Sequence, residues 1–223
     1  MTAGSINPDT IGFLFDLDGV IIDSESEYTR IWHAIDQKFP TGVENFEYVI
    51  KGRTLTEILD TFFADRDTHP KVTDMLNEME QKMRYRFLPG AKEFIESLID
   101  KDFPRVMVTS SNDLKMAHLR EEIPDLEGMF TDIVTADRIS RSKPDPEGYL
   151  LGAELCGASP ERCFVFEDSR QGVMAGRNAG AFVVGLTTTL PEIMISEFCD
   201  ITIGNLSETN PDTLIRQLNH RRS

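Results

Sequence analysis

The stretch Ile11-Gly12-Phe13-Leu14-Phe15-Asp16-Leu17-Asp18-Gly19-Val20 runs from an unbroken apolar segment straight into two carboxylates. Residues 11–15 read as a strand buried on both faces. An ionised carboxylate taken out of water costs several kcal/mol unless it is paired or holds a metal. Two carboxylates at i and i+2 on the end of such a strand therefore point to chemistry before packing. In open α/β sheets, ligands bind beyond the carboxyl ends of the strands, where this pair would sit.

Further short apolar runs follow at 105–108, 132–134, 163–166, 182–185 and 201–203. Most are continuous and not alternating, as expected of parallel strands covered on both faces. Helical patterns separate them at 91–99, 114–122, 146–156, 171–178, 191–197 and 206–218. The alternation predicts an α/β fold, a doubly wound, mostly parallel, Rossmann-like sheet with right-handed crossovers. Residues 24–88 break it and read as helices only, over 24–39, 45–50, 54–63 and 71–87. Met75, Met79 and Met83 share one face of the last and are expected in its core. The predicted organisation is a core domain of 1–23 and 89–223 with an inserted helical cap domain, 24–88, covering the two aspartates.

The chain has 223 residues, 40% hydrophobic and 27% charged, with a formal net charge of −15. That charge argues against a nucleic-acid partner, which needs basic stripes to neutralise phosphates. Cys156, Cys163 and Cys199 show no CxxC spacing and are expected to be small buried hydrophobes. No apolar run approaches the ~20 residues of a membrane span, and the first residues lack the pattern of a signal peptide. A cytoplasmic, monomeric protein with no membrane partner is the expectation.

Polar groups stand at the ends of four predicted strands. Asp16 and Asp18 follow the first, Thr109-Ser110-Ser111-Asn112 the second, Lys143 comes after the third, and Glu167-Asp168-Ser169 follow the fourth. Parallel strands point one way, so these groups converge. Acidic groups meeting at one point would repel unless a hard cation sat among them, and oxygen-only ligands suit Mg²⁺. One carboxylate is then available as a nucleophile. Lys143 offers fixed positive charge, and the Thr109 and Ser110 groups offer donors to a transferring oxyanion. The acidic loop does not meet the ligand pattern of an EF-hand, and no Walker A sequence is present. Gly172 and Gly176 read as close helix–sheet packing and not as a dinucleotide loop. His33, His69, His118 and His220 show no metal or triad spacing.

Residues 15–24 resemble the first motif of the haloacid dehalogenase (HAD) superfamily. Thr109, Lys143-Pro144 and Glu167-Asp168-Ser169-Arg170-Gln171-Gly172 resemble its second, third and fourth, in order. The helical insertion resembles the cap of the β-phosphoglucomutase-like subfamily. The resemblance implies a phosphohydrolase acting on a small phosphorylated metabolite, a sugar phosphate among the candidates, through an aspartyl-phosphate. Asp16 would be nucleophile and Asp18 general acid and then base. Mg²⁺ would be held by Asp16, the Asp18 carbonyl, Asp168 and Glu167, the last directly or through water. Thr109, Ser110, Asn112 and Lys143 would bind the phosphoryl group, with Arg53 reaching from the cap. Asp18 argues against the metal-free dehalogenases, which resemble this chain but lack the second aspartate. Two departures count against the alternative, a phosphomutase: Leu55 stands where that pattern has an arginine, and Tyr28 where it has a histidine. The remaining alternative, a silent HAD-fold binding module, conflicts with the complete set of motif residues.

Overall fold

A computed structural model describes residues 7, 9–50, 53, 55–111 and 113–221. Contacts divide the chain into two compact units, one of Met1–Asp23 with Tyr85–Ser223 and one of Ser24–Arg84. The division returns to the first unit at Tyr85, four residues before the expected Pro89.

The first unit is built on β1 (Gly12–Phe15), β2 (Arg105–Val108), β3 (Asp132–Val134), β4 (Cys163–Glu167), β5 (Phe182–Leu186) and β6 (Ile201–Ile203). All pair in parallel in the order β3-β2-β1-β4-β5-β6. This is the doubly wound α/β sheet that the apolar runs predict. Phe13, Phe15 and Phe166 pack with Phe94 of the helix Ala91–Asp100, Phe164 stacks on Phe13, and Phe15 stacks on Phe166 at 4.5 Å between ring centroids. Leu14, Val106, Val108 and Val165 form another buried cluster with Tyr149 and Ala153 of the helix Glu147–Leu155 and Ala175 of the helix Arg170–Asn178. Both faces of the central strands are thus covered, which is why β1 and β5 carry no polar side chain and β4 carries one only at its carboxyl end.

The chain visits β1, β2 and β3 on one side and then crosses to β4. The strand order reverses between β1 and β4, the position where such sheets open a crevice at their carboxyl ends. Phe15 pairs with Phe166, which sets Asp16 level with Glu167, and Asp16 N–H donates to the Phe166 carbonyl at 3.0 Å.

The second unit contains α1 (Glu25–Lys38), a single turn α2 (Phe46–Val49), α3 (Leu55–Phe62) and α4 (His69–Glu80). Phe46 is fully buried, edge-on to Trp32, Phe62 and Phe63. The first unit's helices follow as α5 (Ala91–Asp100), α6 (Asp113–Glu122), α7 (Glu147–Leu155), α8 (Arg170–Asn178) and α9 (Pro211–Arg221).

Three expected helices differ. The one over 71–87 ends at Glu80. Beyond it the backbone is drawn out to bridge Phe87 with Ile22, with Asp23 N–H donating to the Arg86 carbonyl and Leu88 N–H to that of Ile21. Met83 is therefore off the helix, and α4 buries Val72 and Leu76 while Met75 and Met79 stay half-exposed. Residues 191–197 form two short 3₁₀ turns that tuck Ile195 against Val173 and Val183. The last helix starts at Pro211 and not at Leu206, because the Asn210 side chain accepts from Thr213 N–H at 3.0 Å and Pro211 suits the first helical position.

Cys156 and Cys163 are buried as expected, and burial pushes the Cys163 thiol up to about 12. Cys199 is only half-buried.

Candidate active site

The carboxyl ends of β1, β2 and β4 and the loop after β3 bring most of the predicted residues together. Asp16, Glu167 and Asp168 are all buried, and their carboxylate oxygens lie within 4.8 Å of one another. Lys143 reaches in from the β3–α7 loop, next to a cis Lys143-Pro144 bond. Its ammonium donates to Asp16 Oδ1 at 2.5 Å, to Glu167 Oε1 at 2.6 Å and to the Val108 carbonyl at 3.1 Å.

Glu167 is the most enclosed of the acids. Its Oε1 accepts from Lys143 and from Tyr149 Oη at 2.8 Å, while Oε2 accepts from Asp168 N–H, Ser169 N–H and Ser169 Oγ. These donors satisfy the lone pairs of an ionised carboxylate. Ser169 also caps α8, accepting from Gly172 N–H at 3.0 Å. Gly172 has no alternative: a Cβ there would lie 1.8 Å from the Glu167 carboxyl carbon.

Asp18 is set apart from this cluster. Lys115, in the first turn of α6, donates to both its oxygens at 2.8 and 2.7 Å, and Ser111 Oγ stands 3.3 Å from Oδ2. Thr109 is buried with its N–H on the Val134 carbonyl, and its hydroxyl accepts from Ser111 N–H at 3.0 Å. Ser110 is exposed. Asn112, Lys51, Gly52 and Thr54 lie outside the described residues.

Burial, and then Glu167 and Asp18, push the Asp16 carboxyl up to about 7 against the pull of Lys143. Asp168 is raised too, by burial and then by Glu167 and Asp16. Burial works against the Lys143 ammonium, but Asp16 and Glu167 outweigh it and hold its pKa well above the ordinary value. With all four carboxyl groups ionised, the two ammonium groups would leave an excess of two negative charges, the state that burial of Asp16 and Asp168 opposes. A divalent cation would cancel that excess, and the all-oxygen donor set fits a hard ion. Space beside Asp168 is kept by Gly19, where φ is +74° and a Cβ would lie 1.8 Å from Asp168 Oδ2.

Arg53 belongs to the second unit, where it lies over the Phe62 ring at 5.3 Å and lines a pocket of about 260 Å³. Tyr28, Trp32, Glu47 and Glu80 also line that pocket, with Tyr28 Oη donating to Glu80 Oε1 at 2.9 Å. Lys82, beyond the end of α4, is exposed. The histidines are dispersed: His33 pairs with Glu47 at 3.4 Å, His69 with the Phe63 carbonyl, and His118 lies edge-on to Tyr85.

Sequence reasoning misses Ser111, Lys115 and Tyr149. Ser111 stands inside the quoted Thr109-Ser110-Ser111-Asn112 segment, and an alternating inward direction after Thr109 is the signal for it. Lys115 and Tyr149 carry no signal without knowing which strand end each helix starts from.

The strand-end cluster is matched by a family description. A haloacid dehalogenase-like hydrolase model matches residues 12–180, and the chain belongs to that family. Hexitol phosphatase A of Escherichia coli is 31% identical over 201 residues, covering 88% of this chain and 92% of that protein. A phosphorylated carbohydrates phosphatase of Thermotoga maritima is 29% identical, covering 75% of this chain and 80% of its own. In fold, the chain is similar to a HAD hydrolase of family IA, variant 3, from Entamoeba histolytica, with TM-score 0.78, 21% identity and coverage of 94% and 100%.

Proposed function

We propose that this chain is a Mg²⁺-dependent phosphatase that hydrolyses a small phosphorylated metabolite, a sugar or polyol phosphate, through an aspartyl-phosphate on Asp16. The observation that carries the reading is the buried Asp16–Glu167–Asp168 cluster bridged by Lys143. Asp16 and Asp168, with the Asp18 carbonyl, would hold the ion. Glu167, its oxygens already occupied by donors, anchors Lys143 and the start of α8 and reaches the ion at most through water. When bound, the ion supplies positive charge at the phosphoryl oxygens and screens them from the nucleophile.

Asp16 attacks phosphorus, forming its acyl–phosphate bond as the ester P–O bond breaks. Asp18 gives its proton to the leaving oxygen, so the alcohol departs neutral. Asp18, now ionised, takes a proton from water as that water attacks phosphorus, and Asp16 is released with inorganic phosphate. Lys143 and Thr109 hold the phosphoryl oxygens, with backbone donors of the Ser110 loop and Asn112 beside them.

Carbohydrate phosphatases among the relatives support the substrate class. We assign the role of cap to the second unit, whose pocket combines acidic side chains with Trp32 and Tyr28, groups suited to hydroxyls and to the apolar face of a sugar. The same reading takes the enzyme as cytoplasmic and monomeric, with no nucleic-acid or membrane partner; no described helix is long and apolar enough to cross a membrane. The test is incubation with Mg²⁺ and a panel of hexitol, hexose 6- and hexose 1-phosphates. Free phosphate is the expected product, lost on adding EDTA. Hexose 6-phosphate outpacing free phosphate from a hexose 1-phosphate would establish the phosphomutase instead.

A further inference from the structure

Two lysines serve the two aspartates of the opening motif separately. Lys143 lies on Asp16 and Glu167. Lys115 pairs with Asp18, with both carboxylate oxygens within 2.8 Å of its ammonium. The backbone on either side of Asp18 is pinned independently. Gly19 N–H donates to the Ile22 carbonyl, while Ile21 and Ile22 N–H both donate to that of Leu17. What remains to be set is the direction of the Asp18 side chain. Lys115 and Ser111 set it from α6 and the loop before it.

A carboxylate two residues from Asp16 has another place to go. Rotated inward, it would become one more oxygen ligand in a cluster that already carries excess negative charge and would hold a hard cation. A side chain bound there cannot meet a leaving oxygen. Ordering a long lysine side chain costs rotamer entropy. Both members of the pair are nonetheless only partly exposed, at 22% for Lys115 and 32% for Asp18.

We propose that Lys115 is a positioning residue that holds the Asp18 carboxylate away from the metal cluster and toward the substrate's leaving oxygen. The proposal rests on the reading of Asp18 as proton donor and acceptor. Lys115 acts through Asp18 and needs no contact with substrate.

The experiment compares Lys115→Met, Lys115→Gln and Lys115→Arg with Asp18→Asn and the double variant K115M/D18N. The probe is p-nitrophenyl phosphate with Mg²⁺, and circular dichroism confirms that each variant is folded. Lys115→Met is expected to lower kcat roughly 10- to 100-fold, the range for losing a group that orients a reacting residue. KM should stay near the parent value, Lys115→Gln should fall between, and Lys115→Arg should restore most of the rate. In the Asp18→Asn background, Lys115→Met should add no further loss in single-turnover nitrophenolate release. Calorimetric titration with Mg²⁺ alone should show tighter binding by Lys115→Met than by the parent, since Asp18 is then able to reach the ion.

An unchanged kcat in the folded Met and Gln variants would overturn the proposal. A raised KM at constant kcat would overturn it in favour of a substrate-binding lysine. An equal loss in the Asp18→Asn background would show that Lys115 does not act through Asp18. Parent-like turnover by Asp18→Asn itself would sink the underlying reading of Asp18, an outcome separate from all of these.

Discussion

The two units present polar groups in different ways. In the first, Asp16, Thr109 and Glu167 stand at the ends of hydrogen-bonded strands, where register fixes each backbone position to its neighbour. In the second, Tyr28, Trp32, Glu47 and Glu80 project from helices and a single helical turn around a pocket, with Arg53 on the connection between α2 and α3 and no shared ladder. A ladder tolerates no slippage, since a shift of one residue turns every side chain to the other face. Helix–helix packing adjusts by small rotations. On the proposed function, the reaction belongs to the rigid part and choice of substrate to the adjustable one.

That contrast can be broken by substitutions graded in effect. Asp16→Asn is expected to remove turnover by on the order of 10⁴-fold or more on every substrate, as loss of a nucleophile does. It should leave the fold intact. Because the folded-state pKa of Asp16 is raised to about 7, ionising it opposes folding, so the stability it contributes is present at pH 4 and lost as pH rises through 7. Asp168 acts in the same direction. Lys143, held above its ordinary value, gives stability that is lost only at strongly alkaline pH. Thermal melts without metal should therefore show the parent weakening from pH 5 to pH 8 and Asp16→Asn weakening less. A parent that gains stability over that range would refute the assigned burial of charge.

Gly172→Ala should come next. Its Cβ would collide with Glu167, and overpacking at a site backed by a buried carboxylate costs roughly 3 kcal/mol or more. Urea denaturation measures this directly, and a cost near zero would show that Glu167 is free to move. Tyr149→Phe removes one donor from Glu167 Oε1 and should cost about 1–3 kcal/mol, the range for a hydrogen bond to a charged group, with kcat falling equally for all substrates. Tyr28→Phe, in the second unit, should have the smallest effect. It loses the bond to Glu80, worth about 0.5–1.5 kcal/mol, and should alter the ratio of kcat/KM between phosphorylated sugars. A uniform fall across substrates would place Tyr28 in the reaction instead and erase the contrast between the units.

The same contrast explains what was legible in advance. The central strands are readable because burial on both faces leaves continuous apolar runs, the half-buried edge strands β3 and β6 because short β-rich runs fall between helical patterns, and Asp16, Asp18, Thr109, Lys143, Glu167 and Asp168 are readable from their places at or beyond strand ends. Asn210-Pro211 was an available helix-start signal that the apolar spacing of 206–218 obscured. The methionine spacing misled because period alone does not say where the chain must leave a helix to pair with Ile22. Tyr149 and Lys115 meet their carboxylates across 18 and 97 residues of sequence, through a packing direction that no local pattern encodes. Arg53 lies in the second unit, as its place in 24–88 implies, over the Phe62 ring and at the pocket.

The central claim is covalent attachment of the phosphoryl group to Asp16. Mixing the Mg²⁺-loaded enzyme with a ³²P-labelled sugar phosphate, quenching in acid within the first turnover and mapping the labelled peptide tests it most directly. Acid-stable, hydroxylamine-sensitive label is expected on the peptide that carries Asp16, with none in Asp16→Asn. Label on another residue, or full turnover with no labelled peptide at any time, would contradict it.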